Sequence, residues 1–102
     1  MKIERKNKSV VDALAEKGYT LKAGLKYGCD YRIYRKGVVV RKGEKQKEEH
    51  SFAVLDVVKN TEQIKVKDLV AKARVARASK LQWLVAIDND KSSKLLRIEW
   101  VG

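Results

Sequence analysis

Two groups with proton-transfer chemistry bracket one charged stretch of this chain. Upstream lies "YGCDYRIYRKG", Tyr27 to Gly37, which holds three of the four tyrosines. Downstream lies "HSFAVLDV", opening on His50, the single histidine. Imidazole exchanges protons near neutral pH and suits a general acid or base. Taken alone, a lone histidine is more often an ordinary hydrogen-bonded residue, and a tyrosine such as Tyr34 or Tyr31 is more often a sheet aromatic. What shifts the balance is the polyanion that the rest of the chain is built to meet.

The 102 residues carry 24 Lys plus Arg against 13 acids, a formal charge of +11. Such an excess attracts phosphates, because each one neutralised releases counterions. Metal-free RNA cleavage uses the ribose 2′-OH as nucleophile on the adjacent phosphorus. It needs one group to take that proton, one to protonate the departing 5′-oxygen, and a cation for the charge growing on the phosphate. Cys29 is the only cysteine, which rules out an internal disulfide and a Cys-based zinc site. A metal-dependent nuclease built around Asp30 would need a Glu-x-Lys pair on the following strand, and "HSFAVLDVV" has none. No apolar run approaches a membrane span, so a cytoplasmic protein is expected.

The elements that must position these groups are readable from pattern. Ser9 is expected to cap a helix with Val10, Val11, Leu14 and Ala15 as its apolar stripe, ended by Gly18. "YTLKAGLKYG" reads as short extended pieces. "DYRIYRKG" reads as a strand with Tyr31 and Ile33 on one face and Arg32 and Tyr34 on the other. Residues 36–49 form a charged connection, in which Val38–Val40 extend a hairpin arm. "HSFAVLDVV" is a strand buried on both faces. Val66, Leu69, Val70, Ala73 and Ala76 recur at helical spacing, "KLQWLVAID" alternates as a strand, and "KLLRIEW" is the last one. The order α–β–β–β–α–β–β predicts a mixed sheet with helices packed against it.

In that order, "EKGYTLKAGLKYGCDYRIYRKG", "HSFAVLDV" and "DLVAKARVARASKLQWLVAI" resemble the catalytic domain of tRNA-splicing endonucleases, the archaeal type especially, over roughly residues 10–100. The resemblance implies an α/β (α+β) fold of the restriction-endonuclease-like kind. Residues 1–102 would form one small catalytic domain, without the N-terminal domain usual in archaeal catalytic subunits. It implies a catalytic triad of Tyr34, His50 and Lys80, with no metal and no cofactor. Tyr34 acts as base or only orients the 2′-OH, His50 is the acid, and Lys80 meets the phosphate charge. The implied reaction excises introns from precursor tRNA at bulge-helix-bulge motifs, leaving a 2′,3′-cyclic phosphate and a 5′-OH.

The same resemblance implies arginines that stack on bulged bases. Arg74 matches best, Arg77 competes with it, and Arg97 on the last strand is a second candidate. The connection after Tyr34 is longer than the family pattern and carries Arg35, Lys36, Arg41, Lys42, Lys45 and Lys47. It resembles the basic loops of crenarchaeal-type enzymes, and Arg41, Lys42 and Lys45 are assigned to gripping RNA. A solvated charge run, offset by Glu44, Glu48 and Glu49, is the alternative. The implied partners are a structural subunit in a heterotetramer or, in competition, further copies in a homotetramer. The edge strand "LLRIEWVG" and the turn holding Asp88 and Asp90 would be the contacts. The remaining reading is a non-catalytic basic RNA-binding module, or the structural subunit of such a complex.

Overall fold

The computed structural model describes residues 8–37, 50–88 and 93–101. The first helix, α1 (Lys8–Glu16), presents Val10 and Leu14 to the sheet. Ser9 lies inside α1 and not at a cap position, and Ala15 is exposed, so the buried stripe is narrower than the apolar pattern. The helix closes in a Schellman motif. Gly18 N–H donates to Ala15 O and Tyr19 N–H to Leu14 O, with Gly18 at φ 101°, a conformation that glycine adopts without a Cβ penalty.

Two short strands follow, β1 (Thr20–Ala23) and β2 (Tyr31–Tyr34), joined through a 3₁₀ turn at Leu25–Tyr27. Gly24 is packed tightly there: a Cβ would lie 2.8 Å from the Tyr31 carbonyl. Next come β3 (Ala53–Lys59), α2 (Val66–Ala78), β4 (Gln82–Asp88) and β5 (Ser93–Ile98). The element order is the one predicted. The hairpin arm at Val38–Val40 and the turn residue Asp90 lie outside the described residues.

The five strands form one mixed sheet in chain order, β1-β2-β3-β4-β5. Only β3 and β4 run parallel; the other neighbours are antiparallel. A parallel pair requires a crossover, and α2 supplies it. The helices cover opposite faces. On the α1 side, Val10, Ile33, Ala53, Leu55, Val57 and Ala86 form one core cluster. On the α2 side, Cys29, Val54, Ala73, Ala76, Trp83 and Val85 form the other. Ile33 and the half-buried Tyr31 thus share a face, as alternation predicts, while β3 is buried on both sides. On α2 only Ala73 and Ala76 are fully buried, small side chains that admit the Trp83 indole beneath them; Val66, at the helix start, is exposed.

A buried carboxylate ties these layers together. Asp56 Oδ2 accepts from Trp83 Nε1 at 3.0 Å and from Lys72 Nζ at 3.0 Å, and Asp56 Oδ1 accepts from the Asp30 N–H at 3.2 Å. Asp30 Oδ2 in turn accepts from the Val57 N–H at 2.8 Å. One cluster therefore joins β3, β4, α2 and the entry to β2. A buried carboxylate is tolerated because its lone pairs are satisfied.

Burial pushes the nearby Cys29 thiol up from its ordinary value of 9.0 to about 12, and the Asp56 charge adds to the rise. For Lys72 burial acts downward, but the hydrogen bond and charge of Asp56 outweigh it and raise the ammonium above its ordinary range. Both groups hold a proton more tightly when folded. The Cys29 contribution is therefore complete below pH ~9 and is lost as pH rises towards about 12, and that of Lys72 falls with rising pH in the same sense. Urea unfolding across that range should show stability falling above pH ~9, with Cys29→Ala flattening the first part of the fall. A wild-type profile that stays level to pH 11 contradicts this.

Candidate active site

One end of the sheet is fixed by a single residue, Phe52. Phe52 N–H donates to Ile33 O at 2.9 Å, and Phe52 O accepts from Gln82 N–H at 3.0 Å. The end of β2 and the start of β4 are thereby held on either side of the start of β3. Register says the same, because Ile33, Ala53 and Gln82 lie abreast. Tyr34 comes one residue after Ile33, His50 three before Ala53, and Lys80 two before Gln82. All three belong to segments at this end, where the end of β2 and the start of β4 lie two strand spacings, ~10 Å, apart on either side of β3.

Each arrives differently. Tyr34 ends β2 as predicted and is 1% exposed. Alternation puts it on the side of Arg32, which opposes Val54 in the core under α2. The Arg32 guanidinium is 5.8 Å from its ring centroid, while Arg32 Nε donates to Ala23 O at 2.8 Å. His50 does not open the strand. It sits in a bend ahead of β3 and is exposed, because inward pairing begins only at Phe52. Lys80 does not open a strand either; it belongs to the closing turn of α2 and is exposed.

That closing turn repeats the one on α1. Lys80 N–H donates to Arg77 O and Leu81 N–H to Ala76 O, the Schellman pattern with Lys80 where Gly18 stood before. Lys80 has φ 58°, and among the described residues no other non-glycine has a positive φ. A side chain in this region costs ~1–2 kcal/mol, and such strain gathers at functional sites. Here it carries the ammonium out at the end of the helix, beside the start of β4.

Lys80 shares a cleft of about 320 Å³ with Arg77, Arg97, Gln82 and Trp100. Arg77 Nη1 donates to Trp100 O at 2.9 Å. Arg97 pairs with Glu99 at 3.0 Å, both more than half exposed, an ion pair of little energetic weight. Arg74 does not line this cleft; its guanidinium lies 5.0 Å over the Trp100 ring. The cleft thus groups Arg77 and Arg97 with Lys80 and leaves Arg74 outside. Arg41, Lys42 and Lys45 fall outside the described residues. A larger cavity of about 540 Å³ surrounds Asp56, Lys72 and Trp83. None of the three candidate residues lines it, and its buried polar groups are bonded to one another, which makes it part of the scaffold.

Sequence reasoning missed Trp100 as a partner of both Arg74 and Arg77, and it missed the left-handed backbone of Lys80. The second had a faint signal: "ARASKLQW" leaves a helix with no glycine to close it. No helix among the described residues is long and apolar enough to cross a membrane.

Comparison with known proteins shows the family. The family profile of the tRNA intron endonuclease, catalytic C-terminal domain, matches residues 5–99. The chain is 37% identical over 87 residues to a tRNA-splicing endonuclease of Nanoarchaeum equitans, covering 85% of this chain and 56% of that protein. It is 35% identical over 89 residues to that of Thermococcus kodakarensis, covering 86% and 48%. To the Pyrococcus furiosus enzyme it is 34% identical over 88 residues, covering 85% and 46%. The chain spans about half the length of these relatives.

The backbone at Lys80 gives a direct check. Lys80→Gly should leave the fold intact and hold or raise stability by up to ~1 kcal/mol, because the left-handed penalty disappears. The urea midpoint measures this; a clear drop would mean that the lysine side chain holds the turn together.

Proposed function

The chain belongs to the tRNA intron endonuclease family through its catalytic C-terminal domain, and we propose that it is a catalytic subunit that excises introns from precursor tRNA. The substrate is the bulge-helix-bulge motif, cut without a metal ion to give 2′,3′-cyclic phosphate and 5′-OH ends. The observation that carries this reading is the arrival of Tyr34, His50 and Lys80 at one sheet end, with Lys80 held there in a strained backbone.

In this reading Tyr34 acts as its phenolate, whose oxygen takes the proton of the 2′-OH. The 2′-oxygen bonds to the adjacent phosphorus as the bond from phosphorus to the 5′-oxygen breaks. His50 gives its proton to that departing oxygen, and Lys80 meets the charge on the non-bridging oxygens. Tyr34 is part of the packed interior and 1% exposed, so this reading requires the residues over its oxygen to move aside for the RNA. Arg77 and Arg97, grouped with Lys80 in one cleft, suit a splayed base and its phosphate, the features by which unpaired RNA is recognised.

Assembly belongs to the same proposal. β5 is the sheet edge, with Leu95 and Leu96 each 46% exposed, and an apolar edge strand supports pairing with another chain. A heterotetramer with a structural subunit provides two active sites for two bulges; a homotetramer would do so with copies of this chain.

The test is substitution with separate readouts for cutting and binding. His50→Ala and Lys80→Ala should each lower cleavage at least ~100-fold while RNA affinity stays nearly unchanged. Tyr34→Phe keeps the buried ring and should lose activity on a similar scale, whereas Tyr34→Ala should unfold the protein more easily by ~3–5 kcal/mol. Undiminished cutting by His50→Ala or Lys80→Ala would refute the assignment.

A further inference from the structure

A second group of cations lies at the same sheet end, on the opposite face. Arg35 directly follows Tyr34, and its guanidinium sits 4.9 Å from the centroid of the Phe52 ring. Lys36 Nζ sits 5.2 Å from the centroid of the Tyr19 ring. The two rings are themselves 6.0 Å apart and tilted by 38°. Both are half-buried against the α1-side core, while Arg35 and Lys36 are exposed. Among the described residues neither cation has a carboxylate partner.

Long basic side chains normally lose rotamer freedom when they engage a ligand. Here two ring faces already hold them, through cation–π contacts that leave the outward N–H donors open. Phe52 is the residue whose N–H and carbonyl join the strand ends, so this pair of charges is fixed to the same point that positions Tyr34 and His50. Lys80 and Arg77 flank that point on the α2 side; Arg35 and Lys36 flank it on the α1 side.

We propose that Arg35 and Lys36, held on Phe52 and Tyr19, form a phosphate-binding ledge for the RNA strand on the far side of the scissile bond from the Arg77–Lys80 cleft. This rests on the reading of the chain as an RNA endonuclease. The ledge orients the strand across the sheet end; it does not touch the reacting atoms. An acidic surface of a partner chain is the competing occupant.

The experiment uses the full chain with any subunit that co-purifies, and a bulge-helix-bulge RNA. Arg35→Gln, Lys36→Gln and the double variant are compared with wild type for binding across a salt series, for kcat and KM, and for native mass. Each single change should lower the salt slope by ~0.7, the value for one single-stranded phosphate, and the double by ~1.4. KM should rise while kcat at saturation holds, with native mass unchanged. Unaltered slopes overturn the ledge, and so does a loss of mass, which would assign the patch to a partner chain. Wild-type cleavage in the same preparation keeps the two ideas separate. An active wild type with unmoved slopes sinks the ledge alone, whereas an inert wild type whose variants still lose slope sinks the nuclease reading alone.

Discussion

The arrangement depends on one residue, Phe52, which bonds to β2 through its N–H and to β4 through its carbonyl. Three segments far apart in the chain end at that point because of strand direction. β2 runs antiparallel to β3 and arrives with its last residue; β4 runs parallel to β3 and leaves with its first. The parallel pair forces the crossover helix, and the crossover returns α2 to the same end. Lys80 is brought there by topology rather than by its own contacts.

The two halves of the scaffold then divide the labour. Further along β3, Asp56 is saturated by Trp83, Lys72 and the Asp30 N–H, a cluster that fixes helix to sheet. At the sheet end the same helix closes on a residue forced into the left-handed region. Strain persists only where surrounding structure over-determines it. The Asp56 cluster and the Ala73–Trp83 packing under α2 supply that rigidity. α1 offers the contrast within one molecule, closing the same motif with Gly18 and carrying no such penalty.

Much of this was legible in the residues, for physical reasons that differ from place to place. Alternation in "YRIY" placed Tyr34 and Ile33 on opposite faces, because a strand has a period of two. Helical spacing from Leu69 to Ala76 found α2, and the α–β–β–β–α–β–β order followed. Strand starts were not legible: His50 and Lys80 were expected inside strands and lie outside them, since pairing depends on neighbours that a single segment does not display. The Ser9 cap failed because α1 begins before it. The bonds from Trp83 to Asp56 and from Arg77 to Trp100 join residues 27 and 23 positions apart, and no local pattern announces such contacts.

Product chemistry tests the central claim most directly. A bulge-helix-bulge RNA is incubated with the native protein in excess EDTA, and the new ends are identified. Side chains acting alone on a 2′-oxygen nucleophile predict full cleavage with a 2′,3′-cyclic phosphate on one fragment and a 5′-OH on the other. Cleavage abolished by the chelator, or ends bearing a 5′-phosphate, would contradict it.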